Sequence, residues 1–288
     1  MTSDGATTGG PTARRLVLGS QLRRLREANG ISREDAGHAI RGSGSKISRL
    51  ELGRVGFKQR DVSDLLTLYG VEDEDERTTF LNMVRDSNQP GWWYRYGDLV
   101  PTWFQDYVGL EESASRIQTH ELQFIPGLLQ TERYARTVAS RGRPEATSDE
   151  VDQRVLLRMQ RQRLLSQSRA PRLWAVVDEA VLYRPFGDRA ALREQIEHLL
   201  EITQRSNISL QVTPFELTRP SAEGAFTILR FGEPEIPDIV YLEHLCGALY
   251  LDKSEEVELY SKASHRLAID ARTPEESRKA LHEARQQL

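Results

Sequence analysis

Leu18, Leu22 and Leu25 recur at i, i+4 and i+7, which places them on one stripe of a helix and turns Arg23 and Arg24 outward. Asn29 and Gly30 end that helix, because glycine accepts the left-handed conformation just past a helix C-terminus. Ser32 opens a second helix, with Asp35 in the capping-box position and Ala36, Ala39 and Ile40 on the buried side. Gly42 breaks it after about two turns. Ser43 caps a third helix with Ile47 and Leu50 facing inward and Gly53 as its stop. Val62, Leu65, Leu66 and Tyr69 predict a fourth helix closed by Gly70, and Phe80, Leu81 and Val84 a fifth. Residues 1–13 are small and polar and read as a disordered tail.

The breaker run Ser87, Asn88, Gln89, Pro90, Gly91 ends the helical series. It gives three segments: the tail, an all-α domain over 14–88 and a larger domain over 89–288. The second opens on aromatics, of which Trp92, Trp93, Tyr96 and Trp103 are candidates for a ligand cage or a partner surface. The alternative is that these rings seal the domain junction or form a dimer core. Strand character follows at 116–124. Thr131 caps a helix, and 149–168 reads as one long amphipathic helix. The apolar run 173–177 reads as a buried strand, Leu192 to Leu200 as a helix, and 208–212 as an alternating strand. Three more strands are predicted at 225–231, 238–242 and 247–251. Val257 to Leu267 defines a helix, and Thr273, Pro274, Glu275 and Glu276 form a capping box with Pro at N1 that opens the last one. The second domain is therefore α+β.

Charge changes the picture more than composition does. The chain of 288 residues has a formal net charge of −4, which taken whole argues against a nucleic-acid partner. Residues 1–60, however, carry twelve Lys or Arg against five Asp or Glu, a local +7, and the remainder is −11. Charge per domain is what reports on partners, so the basic end reads as a phosphate-facing surface. One cysteine, Cys246, excludes a disulfide framework and any multi-cysteine zinc site. No apolar run approaches the ~20 residues of a membrane helix, and no signal peptide follows the first basic pair. A cytoplasmic protein is expected.

Two short helices joined by a turn of three or four residues, on a small helical core, form a helix-turn-helix. The second of them must bury one narrow stripe and leave the other face for the major groove. Here the stripe is Ile47 and Leu50, and the free face is Gly44, Ser45, Lys46, Ser48 and Arg49. The S-x-S-x-I-S-R-L-E-x-G pattern from Ser43 to Gly53, preceded by I-S-x-E-x-A from Ile31 to Ala36, resembles the lambda-repressor-like, or XRE-type, helix-turn-helix family over roughly residues 18–70. The resemblance implies a phosphate contact for Arg33, base-facing roles for Ser43, Gly44, Ser45, Lys46 and Arg49, and a structural ion pair between Arg26 and Glu51. Lys58 and Arg60, before the fourth helix, either touch the DNA backbone or are solvated. The chain departs from the family at Gly37, where Ala is usual, and at Arg41-Gly42, where Gly followed by an apolar residue is common. Gly42 to Lys46 superficially resembles a phosphate loop, but Ser45 stands where that motif needs Gly and no strand precedes it.

FQDYVGLEESAS, FIPGLLQTERYA and DEAVLYR are similar to a C-terminal domain of unknown function found in actinobacterial regulators with such an N-terminal unit. That resemblance covers about residues 90–280 and implies a transcriptional regulator of a toxin–antitoxin-like or developmental gene pair. It further implies a small protein encoded by a neighbouring gene as partner, while the Ser43–Gly53 pattern and the +7 block predict double-stranded DNA, read by a homodimer at a palindromic operator. Two alternatives stay open: an antitoxin-like protein that mainly sequesters that partner, and a small-molecule enzyme with a DNA-binding address. Catalytic residues, cofactors and metal ligands are not expected. His120-Glu121 lacks the second histidine of a zinc-protease helix, Cys246 reads as a small core residue, and Asp178 reads as a helix cap at the end of a strand.

Overall fold

Capping side chains open the N-terminal helices, and left-handed glycines close most of them. In the structure, a computed structural model describing residues 11–97, 99–186, 188–216, 224–232 and 236–288, Ser32, Ser43 and Asp73 accept hydrogen bonds from the backbone NH of Asp35, Lys46 and Glu76. The helices they open are α2 (Arg33–Ala39), α3 (Gly44–Glu51) and α5 (Glu74–Ser87); α1 (Pro11–Ala28) and α4 (Gln59–Leu68) complete the set. Gly30, Gly53 and Gly70 follow α1, α3 and α4 at φ of 64°, 62° and 74°. Residues 11–13, assigned to the tail from sequence, form the first turn of α1. The expectation for residues 1–10 lies outside the described residues.

The chain divides into two compact units. The first holds these five helices together with residues 104–113 of α6 (Thr102–Ser113) and the described part of 231–237. Its core is one cluster in which Leu18 and Leu22, Ile40, Ile47 and Leu50 pack against Val62, Leu65, Leu66, Phe80 and Val84. The Asn88 side chain mimics a backbone partner, donating to Phe57 O at 2.6 Å and accepting from Phe57 N at 3.0 Å, so the loop before α4 is fixed to the end of α5.

The second unit holds residues 96–103, 114–230 and 238–288. Its mixed six-stranded sheet runs in the order β3-β2-β1-β4-β5-β6. β1 (Arg116–Glu121), β2 (Arg172–Asp178) and β3 (Ile208–Thr213) are parallel, while β4 (Phe226–Arg230), β5 (Ile239–His244) and β6 (Gly247–Leu251) continue it antiparallel. Parallel neighbours require long crossovers. These are α7 (Glu132–Gly142) with α8 (Ser148–Gln162), and then α9 (Arg189–Ile202). α10 (Ser254–Asp270) buries Leu267 against Val176, Phe226, Ile228 and Val240 on one sheet face, and α11 (Pro274–Gln287) starts with the complete capping box of Thr273 and Glu276. The α+β reading of this part of the chain is the observed architecture.

Two local readings change. The helix expected over 149–168 ends at Gln162 and tightens into a 3₁₀ turn over Arg163–Ser166. Cys246 is exposed rather than in the core, because it sits with Leu245 in the two-residue turn between β5 and β6, where both side chains leave the sheet.

Candidate nucleic-acid interface

The turn between α2 and α3 explains both departures from the family pattern. A Cβ built on Gly37 would lie 2.6 Å from the Ser43 carbonyl carbon and 2.9 Å from the Gly44 nitrogen. α2 therefore carries glycine where the start of α3 crosses it backbone to backbone. Arg41 occupies the left-handed region at φ 52° and does the work usually left to glycine. A side chain there costs about 1–2 kcal/mol. Arg41→Gly gives part of that back through the greater freedom of the unfolded chain, so it is expected to raise stability by about 0.5–1 kcal/mol. A higher urea midpoint at unchanged m-value is the result to look for; a lower midpoint would show that the Arg41 side chain holds the turn.

Beneath the turn lies a cluster of three charges, two of them buried. Arg26 Nε donates to Glu51 Oε1 at 2.5 Å and a second guanidinium nitrogen donates to Oε2 at 3.1 Å, with only 7% and 2% of the two side chains exposed. Arg26 also donates to Ile31 O at 2.9 Å, which ties the end of α1 to the start of α2. Burial works against the Arg26 charge, and the Glu51 carboxylate outweighs burial, holding the guanidinium above its ordinary range. Arg33 joins the same carboxylate at 3.0 Å to Oε2, with 24% of its side chain exposed. The structure thus brings together Arg26 and Glu51, and it adds Arg33, expected on phosphate, to their network.

Above the core, α3 buries Ile47, Leu50 and Glu51 and leaves Ser45 and Arg49 exposed. No hydrogen bond or ion pair engages either exposed side chain among the described residues. Ser43 is exposed too, but its hydroxyl caps α3. Gly44 faces α2: a Cβ there would meet Glu34 Oε1 at 2.7 Å. Lys46 differs from the expected free cation, since its Nζ lies 2.6 Å from Asp61 Oδ2 in the first turn of α4. That partner was legible only as an acidic residue following the basic block; its position depends on how α4 packs. Lys58 is exposed at the N-cap of α4 without a capping bond.

The four candidate aromatics do not gather in one unit. Trp92 and Trp93 belong to the first, where Trp92 donates to Glu112 at 2.9 Å and Trp93 is buried. Tyr96 and Trp103 belong to the second, where Tyr96 donates to Gln160 at 3.2 Å and the Trp103 carbonyl accepts from the Tyr250 hydroxyl. Packing accounts for Trp93. Asp178 caps the 3₁₀ turn that follows β2, accepting from Ala180 N at 2.8 Å, while Glu179 pairs with Arg272 at 2.7 Å. His120 is buried beside Phe226, and burial lowers its pKa. Among the described residues no group of three His, Cys, Asp or Glu is placed to hold a metal, and no helix is long and apolar enough to cross a membrane.

Comparison with known families finds two matches. Residues 17–80 match a helix-turn-helix domain and residues 104–283 match a domain of unknown function, DUF5753. No curated protein and no solved structure matches the chain. The helix-turn-helix supports DNA binding by the N-terminal segment. The DUF5753 match spans more than half of the sequence, and the chain belongs to that family, joined here to an N-terminal helix-turn-helix domain.

Proposed function

We propose that the protein is a sequence-specific transcriptional regulator that inserts α3 into the DNA major groove. The observation that carries this reading is the exposed pair Ser45 and Arg49 on a helix anchored by Ile47, Leu50 and the Arg26–Glu51 bridge. A rigid helix with one buried stripe and a short hydroxyl beside a guanidinium that no described hydrogen bond or ion pair holds suits contact with base edges, Arg49 toward guanine above all. In this reading Ser43 and Gly44, at the start of α3, face the bases, and Lys58 meets the DNA backbone. Arg33 and Lys46 reach phosphate only by releasing part of their hold on Glu51 and Asp61, so their contribution is smaller than that of a free cation.

In this reading the protein acts in the cytoplasm as a homodimer, without catalysis, and the DUF5753 domain supplies dimerisation and the response to a ligand or a protein partner. A two-fold dimer reads two half-sites about one helical turn, ~34 Å, apart. Selection of bound fragments from random duplex DNA should then return an inverted repeat with that spacing. Recovery of fragments without a shared sequence would remove the claim of specificity, and a single unrepeated site would remove the dimer.

A further inference from the structure

The register of the sheet sets three arginines side by side at one end of the second unit. Arg116 opens β1; Arg172, which opens β2, is its parallel partner, and Arg230, which closes β4, is its antiparallel partner. Strands are ~4.8 Å apart, so the row spans ~10 Å along one sheet face. Like charges directly opposite one another destabilise a sheet. Arg230 is compensated by Asp238 at 2.5 Å, Gln118 at 2.9 Å and Ser261 at 3.1 Å. Asp238 also attracts the Arg116 charge, but both Arg116 and Arg172 are exposed, and no hydrogen bond or ion pair engages their side chains among the described residues.

The row walls a cavity of about 680 Å³, within the range of small-molecule sites. Trp174, Ser209 and His265 also line it, and no carboxylate stands among its described lining residues. Trp174 follows Arg172 by two positions and so shares its sheet face. Its indole is fixed by donation from Nε1 to Gln211 at 2.8 Å. Guanidinium forks match phosphate oxygens two at a time, a half-buried indole offers an apolar plane, and a concave wall admits a small molecule more readily than a duplex. The geometry points to a binding site for a nucleotide, with its phosphates on Arg116 and Arg172 beside Arg230 and its base against Trp174. The site gives the sensing domain of the preceding section a ligand class. It rests on that reading for the consequence of binding, not for binding itself.

Calorimetric titration of the full chain with inorganic phosphate, pyrophosphate and ADP tests it without DNA. Pyrophosphate and ADP should bind, ADP the more tightly. Arg116→Gln and Arg172→Gln should each weaken both at least tenfold while the melting temperature stays at the wild-type value, since both side chains are exposed. Trp174→Leu should weaken ADP and leave pyrophosphate unchanged. Equal affinity for pyrophosphate and ADP would overturn the nucleotide assignment. Absence of binding at millimolar concentration, or affinity unchanged in the Arg116→Gln/Arg172→Gln double variant, would overturn the site. Loss of duplex binding in that double variant, with no small phosphate bound by the wild type, would make the row a DNA surface and overturn it equally.

Discussion

Glu51→Ala should lower the stability of the helix-turn-helix unit by about 3–5 kcal/mol, the cost of leaving a buried charge without its partner. Arg26 is 7% exposed, and with the carboxylate gone its main compensation is lost. Arg33 suffers less, because a quarter of its side chain already meets water. Against a typical total of about 5–15 kcal/mol this is a large fraction, so the first unit should melt far below the wild type. The asymmetry between breaking and replacing the pair makes the prediction specific. Arg26→Leu combined with Glu51→Leu removes both charges and should recover much of the loss. Denaturant unfolding of the single and double variants measures it. A Glu51→Ala loss below about 1 kcal/mol, the usual worth of an exposed pair, would show that the bridge is a surface feature.

The second large effect is at Gly19. α1 crosses the end of α3 there, and a Cβ would stand 2.5 Å from the carbonyl oxygens of both Leu50 and Glu51. Those obstacles are backbone, so neither helix yields by a rotamer change and the two must separate. Gly19→Ala is expected to cost about 2–3 kcal/mol net, although alanine favours an isolated helix by ~1 kcal/mol. Gly142, in the last turn of α7, has nothing within 4 Å of its added Cβ. Gly142→Ala should therefore be neutral or slightly stabilising. Thermal melts of the two variants should move in opposite directions or at least differ widely, and equal small shifts would contradict the close crossing.

The contrast between these two glycines shows what sequence patterning conveys. Ser32, Ser43 and Thr273 were legible as caps, and Gly30, Gly53 and Gly70 as stops, because capping and left-handed closure are local. Leu18, Leu22, Ile47 and Leu50 were legible as core because a helix repeats every 3.6 residues. The crossing at Gly19 depends on where α3 ends in space, which no spacing within α1 reveals. The same holds for the site. Ser45 and Arg49 followed from the helical period, whereas the pairing of Lys46 with Asp61 and of Arg33 with Glu51 followed from packing between helices. In the second unit each strand was legible as a segment. Their order was not, so the row formed by Arg116, Arg172 and Arg230, drawn from strands far apart in sequence, had no sequence signal. Cys246 misled because a lone apolar-leaning residue after a strand reads equally as core or as turn.

The central claim is that α3 reads DNA sequence, and Arg49 carries it. The direct measurement is the affinity of the wild type and of Arg49→Ala for a selected fragment and for a scrambled one of equal length, each over a range of salt concentrations. A lost bidentate base contact is worth about 1–3 kcal/mol of discrimination, so the ratio of the two affinities should fall by roughly 5- to 150-fold in the variant while the fold stays intact. A ratio equal to that of the wild type would contradict the account, whatever happens to affinity as a whole.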